Sequence, residues 1–150
     1  EIAVQTAKVA RRFGVKPKVA MLSFSNFGTS GELRTDRIEE AIAIARELDS
    51  DLVIDGPMQV DTALVPEIQK DYPFMSFEGP ANVLICPNLT SANIAYKLLQ
   101  RIAGAEMTGP ILEGLSKPAH VLQRGDSVRD VVHMAAICAV DAQRHAKQRL

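Results

Sequence analysis

The chain has 150 residues, enough for one ordinary domain with a real core. Hydrophobic residues make up 47% of it and the formal net charge is −1, which argues against disorder and against a global field that draws nucleic acid or a membrane. No apolar run approaches the length that spans a bilayer.

From Glu1 to Gly14 the pattern is that of an amphipathic helix with Ile2, Val4, Val9 and Phe13 available to pack. It lacks the long apolar region of a signal peptide. The chain opens on Glu1 inside this helix, so we expect a fragment of something longer. Lys18 to Ser23 is a short apolar run after Pro17 and reads as a buried strand. A Ser-, Asn-, Gly- and Thr-rich loop follows to Leu33, and Asp36 with Glu39 gives a capping spacing at the start of a helix. Ile38, Ala41, Ile42, Ala45 and Leu48 supply its apolar face. Leu52 to Ile54 is a second strand, ended by Asp55-Gly56-Pro57.

Val60 to Lys70 predicts a short helix facing inward through Ala63, Leu64 and Ile68. Asn82 to Cys86 is a third strand, closed by Pro87-Asn88. Thr90 is placed to cap a helix with Ile94, Leu98 and Ile102 on its core face and Gly104 as its stop. A fourth strand is expected within Met107 to Leu112. Ser127 caps a long last helix, with Val128, Val131, Val132, Ala135, Ala136 and Ala139 facing inward. The alternation of strands and helices predicts an α/β fold, three-layer α/β/α, with a mostly parallel sheet. The loops 23–31, 55–61, 87–91 and 113–117 then share the rim where ligands bind in such sheets.

Candidate functional residues cluster in those loops. Ser25, Asn26, Gly28, Thr29 and Ser30 offer hydroxyls and backbone N–H groups after the first strand, but match neither a Walker A loop nor a dinucleotide fingerprint. Asp55, Gln59 and Asp61 gather at the second strand end, where a plain turn is an equal reading. Lys117 to Ser127 leads a positively charged segment into the last helix, and Arg124, Gly125 and Arg129 suit a phosphate or carboxylate there. Ser127-x-x-Asp130 is equally a capping box, which would account for both residues without catalysis. His120, His133 and His145 lack metal spacing and are read as structural or solvent-facing. Cys86 and Cys138 read as reduced core residues, in keeping with a cytoplasmic protein.

Taken in order, Ser23 to Ser30, Asp55 to Asp61, Pro87-Asn88, Gly109 to Leu115 and Lys117 to Arg124 resemble the phosphate acetyltransferase (phosphotransacetylase) family. The resemblance covers nearly the whole chain and implies its second α/β domain, with the last helix returning to a first domain that lies upstream; residues 1–150 form the C-terminal part. Ser25 to Gly28 and His120 to Gln123 are most similar to the C-terminal domain of large bacterial NADP-dependent malic enzymes.

The resemblance matches a general base to Asp130, a charge-stabilising group to Arg124, and acetyl-CoA or phosphate contacts to Ser25, Asn26, Gly28, Thr29, Ser30, Gln59, Asp61, Asn88, Gln123 and Arg124. Gln123 replaces the serine of the family's Leu-Ser-Arg-Gly pattern, which implies weak or absent transfer of acetyl between phosphate and coenzyme A. The implied role is a regulatory acetyl-CoA-binding domain. Malate oxidation and decarboxylation to pyruvate, with NADP and a divalent metal, would take place on upstream domains of the same chain, in a homo-oligomer. An active phosphate acetyltransferase and an oligomerisation module are the alternatives.

Overall fold

The computed structural model describes residues 1–28 and 33–147, with the backbone alone at 33–35. The chain divides into two compact units, Glu1–Ala95 and Tyr96–Leu150. The first unit holds helix α1 (Ile2–Arg12), strand β1 (Lys18–Leu22), helix α2 (Leu33–Leu48), strand β2 (Val53–Met58), short helices α3 (Val60–Leu64) and α4 (Pro66–Gln69), and strand β3 (Val83–Ile85). Helix α5 (Leu89–Ile102) crosses the boundary, and helix α6 (Val128–Lys147) belongs to the second unit.

The strands pair in parallel in the order β2-β1-β3. Lys18 lies opposite Val53, and Val19 lies between Ile54 and Val83. Successive strand residues face opposite ways, so the apolar runs feed two cores. Val19, Ile54 and Val83 pack with Ala3, Val4 and Ala7 of α1 and Ile42 and Ala45 of α2. Ala20, Leu22 and Met58 pack on the other face with Ala63 of α3, Phe77 and Ala81. This is the expected α/β architecture, with a parallel sheet and helical layers on both faces.

Several local expectations are corrected. Helix α1 buries its alanines, while Ile2 and Phe13 are exposed. Small side chains bring the helix closer to the sheet than Ile or Phe would. Helix α2 begins at Leu33, so Asp36 sits within the first turn, where a carboxylate complements the helix dipole, and Leu48 is exposed. The single helix expected over Val60–Lys70 is two, because Pro66 forces Val65 into an extended conformation (φ −107°, ψ 108°). Asn88, not Thr90, caps α5: the Ser91 N–H donates to Asn88 Oδ1 at 2.9 Å.

Among the described residues no strand forms over Met107–Leu112. Gly109 has φ +133° and Pro110 has no N–H, so the middle of the segment cannot sustain a ladder. In α6 the buried side is Met134 with the half-buried Ile137, Cys138, Asp141 and His145. Val128, Val131, Val132, Ala135, Ala136 and Ala139 are exposed, which reverses the expected face.

One glycine fixes the sheet edge next to the first loop. The β1–β2 register breaks between Ala20 and Leu22, opposite Gly56 and Pro57. Gly56 has φ +137°, and a Cβ there would lie 2.6 Å from the Met21 carbonyl oxygen. Only glycine lets the strands approach so closely.

Candidate functional site

In the first unit, the loop after β1 is fastened to the end of β2. The Ser23 N–H donates to the Met58 carbonyl at 2.8 Å, and the Phe27 N–H to the Pro57 carbonyl at 2.6 Å. Asn26 Oδ1 accepts from the Gln59 N–H at 2.7 Å, and Gln59 Nε2 donates to the Phe24 carbonyl at 2.6 Å. Asn26 Nδ2 donates to Tyr72 Oη at 3.1 Å, beside the ring cluster of Phe27, Tyr72 and Phe74. Phe27 and Gly28 take positive φ (48° and 71°), which turns the chain sharply. The loop therefore holds its shape through Asn26 and Gln59, whose polar atoms are spent largely within the protein. Ser25 is buried. Thr29 and Ser30 lie outside the described residues.

The other first-unit candidates also have structural duties. Asp61 Oδ1 accepts from the Thr62 N–H at 2.8 Å at the start of α3. Asn88 is the α5 cap. Asp55 takes the Gly56 N–H at 2.9 Å and the Ser76 N–H at 2.6 Å, so its turn-forming role is the observed one.

In the second unit, Arg124 sits at the apex of a closed turn. The Gln123 N–H donates to Asp126 Oδ2 at 2.6 Å, the Asp126 N–H returns to the Gln123 carbonyl at 3.1 Å, and Gly125 takes φ +97°. A capping box follows at once. The Ser127 N–H and hydroxyl donate to Asp130 Oδ2 at 2.9 and 2.7 Å, and the Asp130 N–H donates to Ser127 Oγ at 3.2 Å. The Ser127 hydroxyl and then its N–H hold the Asp130 carboxyl below its ordinary range, with smaller help from His133 and Arg129. The Arg129 guanidinium pairs with Glu106, which raises its own pKa.

A histidine that the sequence reading took as structural or solvent-facing, with no orienting partner in view, joins the segment at Leu112 to α6. His120 Nδ1 accepts from the Leu112 N–H at 3.2 Å, and its Nε2 lies 3.1 Å from Asp141 Oδ2. The His120 side chain is only 4% exposed. An accepting Nδ1 fixes the neutral tautomer with the proton on Nε2, aimed at the carboxylate. Asp141 is 21 residues away on α6, so no short spacing could announce the pair.

Tyr96 and Lys97 were also missed. Lys97 Nζ donates to Tyr96 Oη at 2.8 Å. That bond first, then the Gln123 side chain and the charges of Lys97 and Arg101, hold the phenol below its ordinary range. Thus the structure brings Gln123, Arg124 and Asp130 onto one short segment of the second unit, and Ser25, Asn26, Gly28 and Gln59 onto one loop system of the first. Among the described residues no group of three or more His, Cys, Asp or Glu could hold a metal ion. No helix there is long and apolar enough to cross a membrane.

A parallel α/β sheet with a fastened strand-end loop, followed by an Arg-bearing turn that enters a capped helix, defines an acyl-transferase type of scaffold once its likeness to known proteins is added. The family model described as phosphate acetyl/butaryl transferase matches residues 1–139, and the chain belongs to that family. It is 48% identical over 145 residues to a phosphate acetyltransferase of Acetivibrio thermocellus, covering 95% of this chain and 44% of that protein. It is 47% identical over 146 residues to an NADP-dependent malic enzyme of Salmonella typhimurium, covering 95% of this chain and 19% of that protein. The crystal structure of a phosphotransacetylase from Streptococcus pyogenes superposes with a TM-score of 0.89 at 43% identity, over 95% of this chain and 44% of that one. The chain thus spans less than half the length of these phosphate acetyltransferases and about a fifth of the malic enzyme.

Proposed function

We propose that the chain is a regulatory acetyl-CoA-binding domain of a larger NADP-dependent malic enzyme, with upstream domains of the same cytoplasmic chain carrying malate oxidation. The observation that carries this reading is the capping box that engages Asp130. Transfer to coenzyme A needs a base for the thiol, and the Asp130 carboxylate is already engaged by the Ser127 N–H and hydroxyl. Gln123 in the serine position of the resembling pattern removes a small hydroxyl donor, and losing one oxyanion donor costs about 10²–10³ in rate. Arg124, at the apex of a turn built by its neighbours, retains the guanidinium that an anionic ligand needs. The family match at residues 1–139 supports acetyl-CoA as that ligand.

The test is calorimetric titration of acetyl-CoA into the intact protein, together with a transferase assay from acetyl phosphate and coenzyme A. Binding with little turnover is the expected result, and Arg124→Ala should weaken it. Absence of binding sinks the reading. A second reading, an active phosphate acetyltransferase, is favoured by the 48% identity to such an enzyme. Ordinary turnover abolished by Asp130→Asn would establish it in place of the first. The exposed Val128, Val131 and Val132 on α6 support a partner surface as well, so a homo-oligomer is part of the proposal. Light scattering on the intact protein and on a Val128→Asp/Val132→Asp variant checks it, with a smaller assembly expected for the variant.

A further inference from the structure

We propose that Tyr72 and Phe74 are positioning residues for the loop after β1. The Tyr72 phenol oxygen orients the Asn26 amide, and the two rings clasp Phe27 in a left-handed backbone conformation, so that releasing them lets the loop take a second shape. The purpose of that loop rests on the ligand reading above; the clasp rests on contacts within the first unit.

Phe27 has φ +48° and carries a large side chain, where the other positive-φ residues among those described are glycines. A bulky residue stays in that region only when its surroundings over-determine it. Two things hold Phe27 there. Its N–H donates to the Pro57 carbonyl at 2.6 Å. Its ring lies tilted against Tyr72, with centroids 5.2 Å apart, and edge-on to Phe74 at 4.8 Å. Both distances are those of favourable aromatic pairs. Phe74 is 66% exposed, so burial in the core does not account for its place. Its ring meets Phe27 and Tyr72 instead.

The phenol acts separately, on Asn26. The Gln59 N–H donates to Asn26 Oδ1 at 2.7 Å, which sets the amide's orientation and turns Nδ2 toward Tyr72 Oη at 3.1 Å. Gln59 Oε1 lies 3.4 Å from the same Nδ2, at the edge of hydrogen-bond range, so Tyr72 supplies the better acceptor. The clasp is itself firmly mounted. The Tyr72 N–H donates to the Gln69 carbonyl at 2.9 Å and the Met75 N–H to the Tyr72 carbonyl at 3.0 Å. Ser76 is tied to β2 through Asp55 Oδ2 and the Ile54 carbonyl. Ring and oxygen of one side chain thus have different targets, Phe27 and Asn26, and can be removed one at a time.

Amide exchange of Phe27, Gln59 and Val19 is measured in the intact protein and in Tyr72→Phe, Tyr72→Leu and Phe74→Leu variants, with acetyl-CoA affinity by calorimetry. Val19, fully buried in the central strand, reports any general loss of stability. Tyr72→Phe keeps the ring and loses the oxygen. With the change at Val19 divided out, Gln59 should then exchange about 3- to 10-fold faster, and Phe27 within about two-fold of wild type. Tyr72→Leu and Phe74→Leu should quicken Phe27 about 10-fold on the same basis. A side chain that merely adds stability would move Phe27, Gln59 and Val19 together in every variant, and that pattern overturns the clasp.

Where wild-type protein binds acetyl-CoA, the opened loop should weaken binding about 3- to 10-fold in Tyr72→Leu and Phe74→Leu. Affinity within about two-fold of wild type, with Phe27 exchange quickened, overturns the positioning role. Wild-type protein that ignores acetyl-CoA overturns the regulatory reading instead, and the exchange pattern alone then upholds or overturns the clasp.

Discussion

Replacing Gly56 by alanine tests the joint between the sheet and the first candidate loop. The new Cβ would stand 2.6 Å from the Met21 carbonyl oxygen, 3.0 Å from Met21 Cβ and 3.3 Å from Met21 N. Two of these atoms are backbone of the central strand, so relief requires β1 or β2 to move. Overpacking of this kind costs about 1–3 kcal/mol, and holding a non-glycine residue at such a φ costs about 1–3 kcal/mol more. The sum, about 2–6 kcal/mol, is a large part of the 5–15 kcal/mol typical of a domain. Gly14→Ala is the internal control. Its φ is +76° with nothing within 4 Å of the added Cβ, so it carries the backbone cost without the clash.

Urea denaturation of the intact protein should show Gly56→Ala losing at least twice the stability that Gly14→Ala loses. Strand movement would also slacken the Phe27–Pro57 and Ser23–Met58 bonds, so amide exchange at Phe27 and Ser23 should quicken. Equal losses in the two variants would refute the close-approach argument and leave only the backbone term.

Three further outcomes follow from the same geometry. His120→Ala removes the acceptor of the Leu112 N–H and the imidazole beside Asp141, and should cost about 1–3 kcal/mol in denaturation; His120→Gln, which can keep only one of the two contacts, should recover part of it. Gln69, buried at 8% exposure, donates through Nε2 to the Thr62 and Gly79 carbonyls at 3.0 and 3.2 Å; Gln69→Leu leaves both without that donor and should cost about 1–3 kcal/mol by thermal melting. The depressed Asp130 pKa adds stability that is present above the unfolded carboxylate value, about 3.9, and is lost as pH falls through the lower folded value; acid melts of Ser127→Ala should lack that part of the slope.

The sheet was legible because its signals are local. KVAML, LVI and VLI are continuous apolar runs bounded by Pro, Gly and Asp, and each became a strand of a parallel sheet. The capping box at Ser127 and Asp130 was legible for the same reason, since all its atoms lie within one turn. What escaped depended on contacts across distance. His120 meets Asp141 over 21 residues, and Asn26 meets Gln59 over 33. In the second case both residues had been read as ligand contacts, and their bonds to one another show how a polar rim can be spent on holding its own shape. The strand expected within Met107–Leu112 does not form because Pro110 cannot donate to a ladder and Gly109 takes φ +133°.

The face of α6 shows why apolar content alone misleads. The helix carries small and branched apolar residues almost all round, so a helical count finds more than one plausible inner stripe. The stripe that packs within its unit contains Met134, Ile137 and Cys138 and ends on Asp141 and His145. A polar pair on the buried side is tolerable because His120 gives Asp141 a partner. The valines at 128, 131 and 132 would bury better than a carboxylate, yet they are exposed. The polar stripe thus carries a specific bond to His120, and the apolar one remains available to a partner. Replacing Asp141 by leucine separates these roles: if the bond selects the face, Asp141→Leu should lower stability in urea denaturation even though it adds apolar surface to the buried side, whereas unchanged or higher stability would mean that apolar packing alone sets the helix and His120 is incidental.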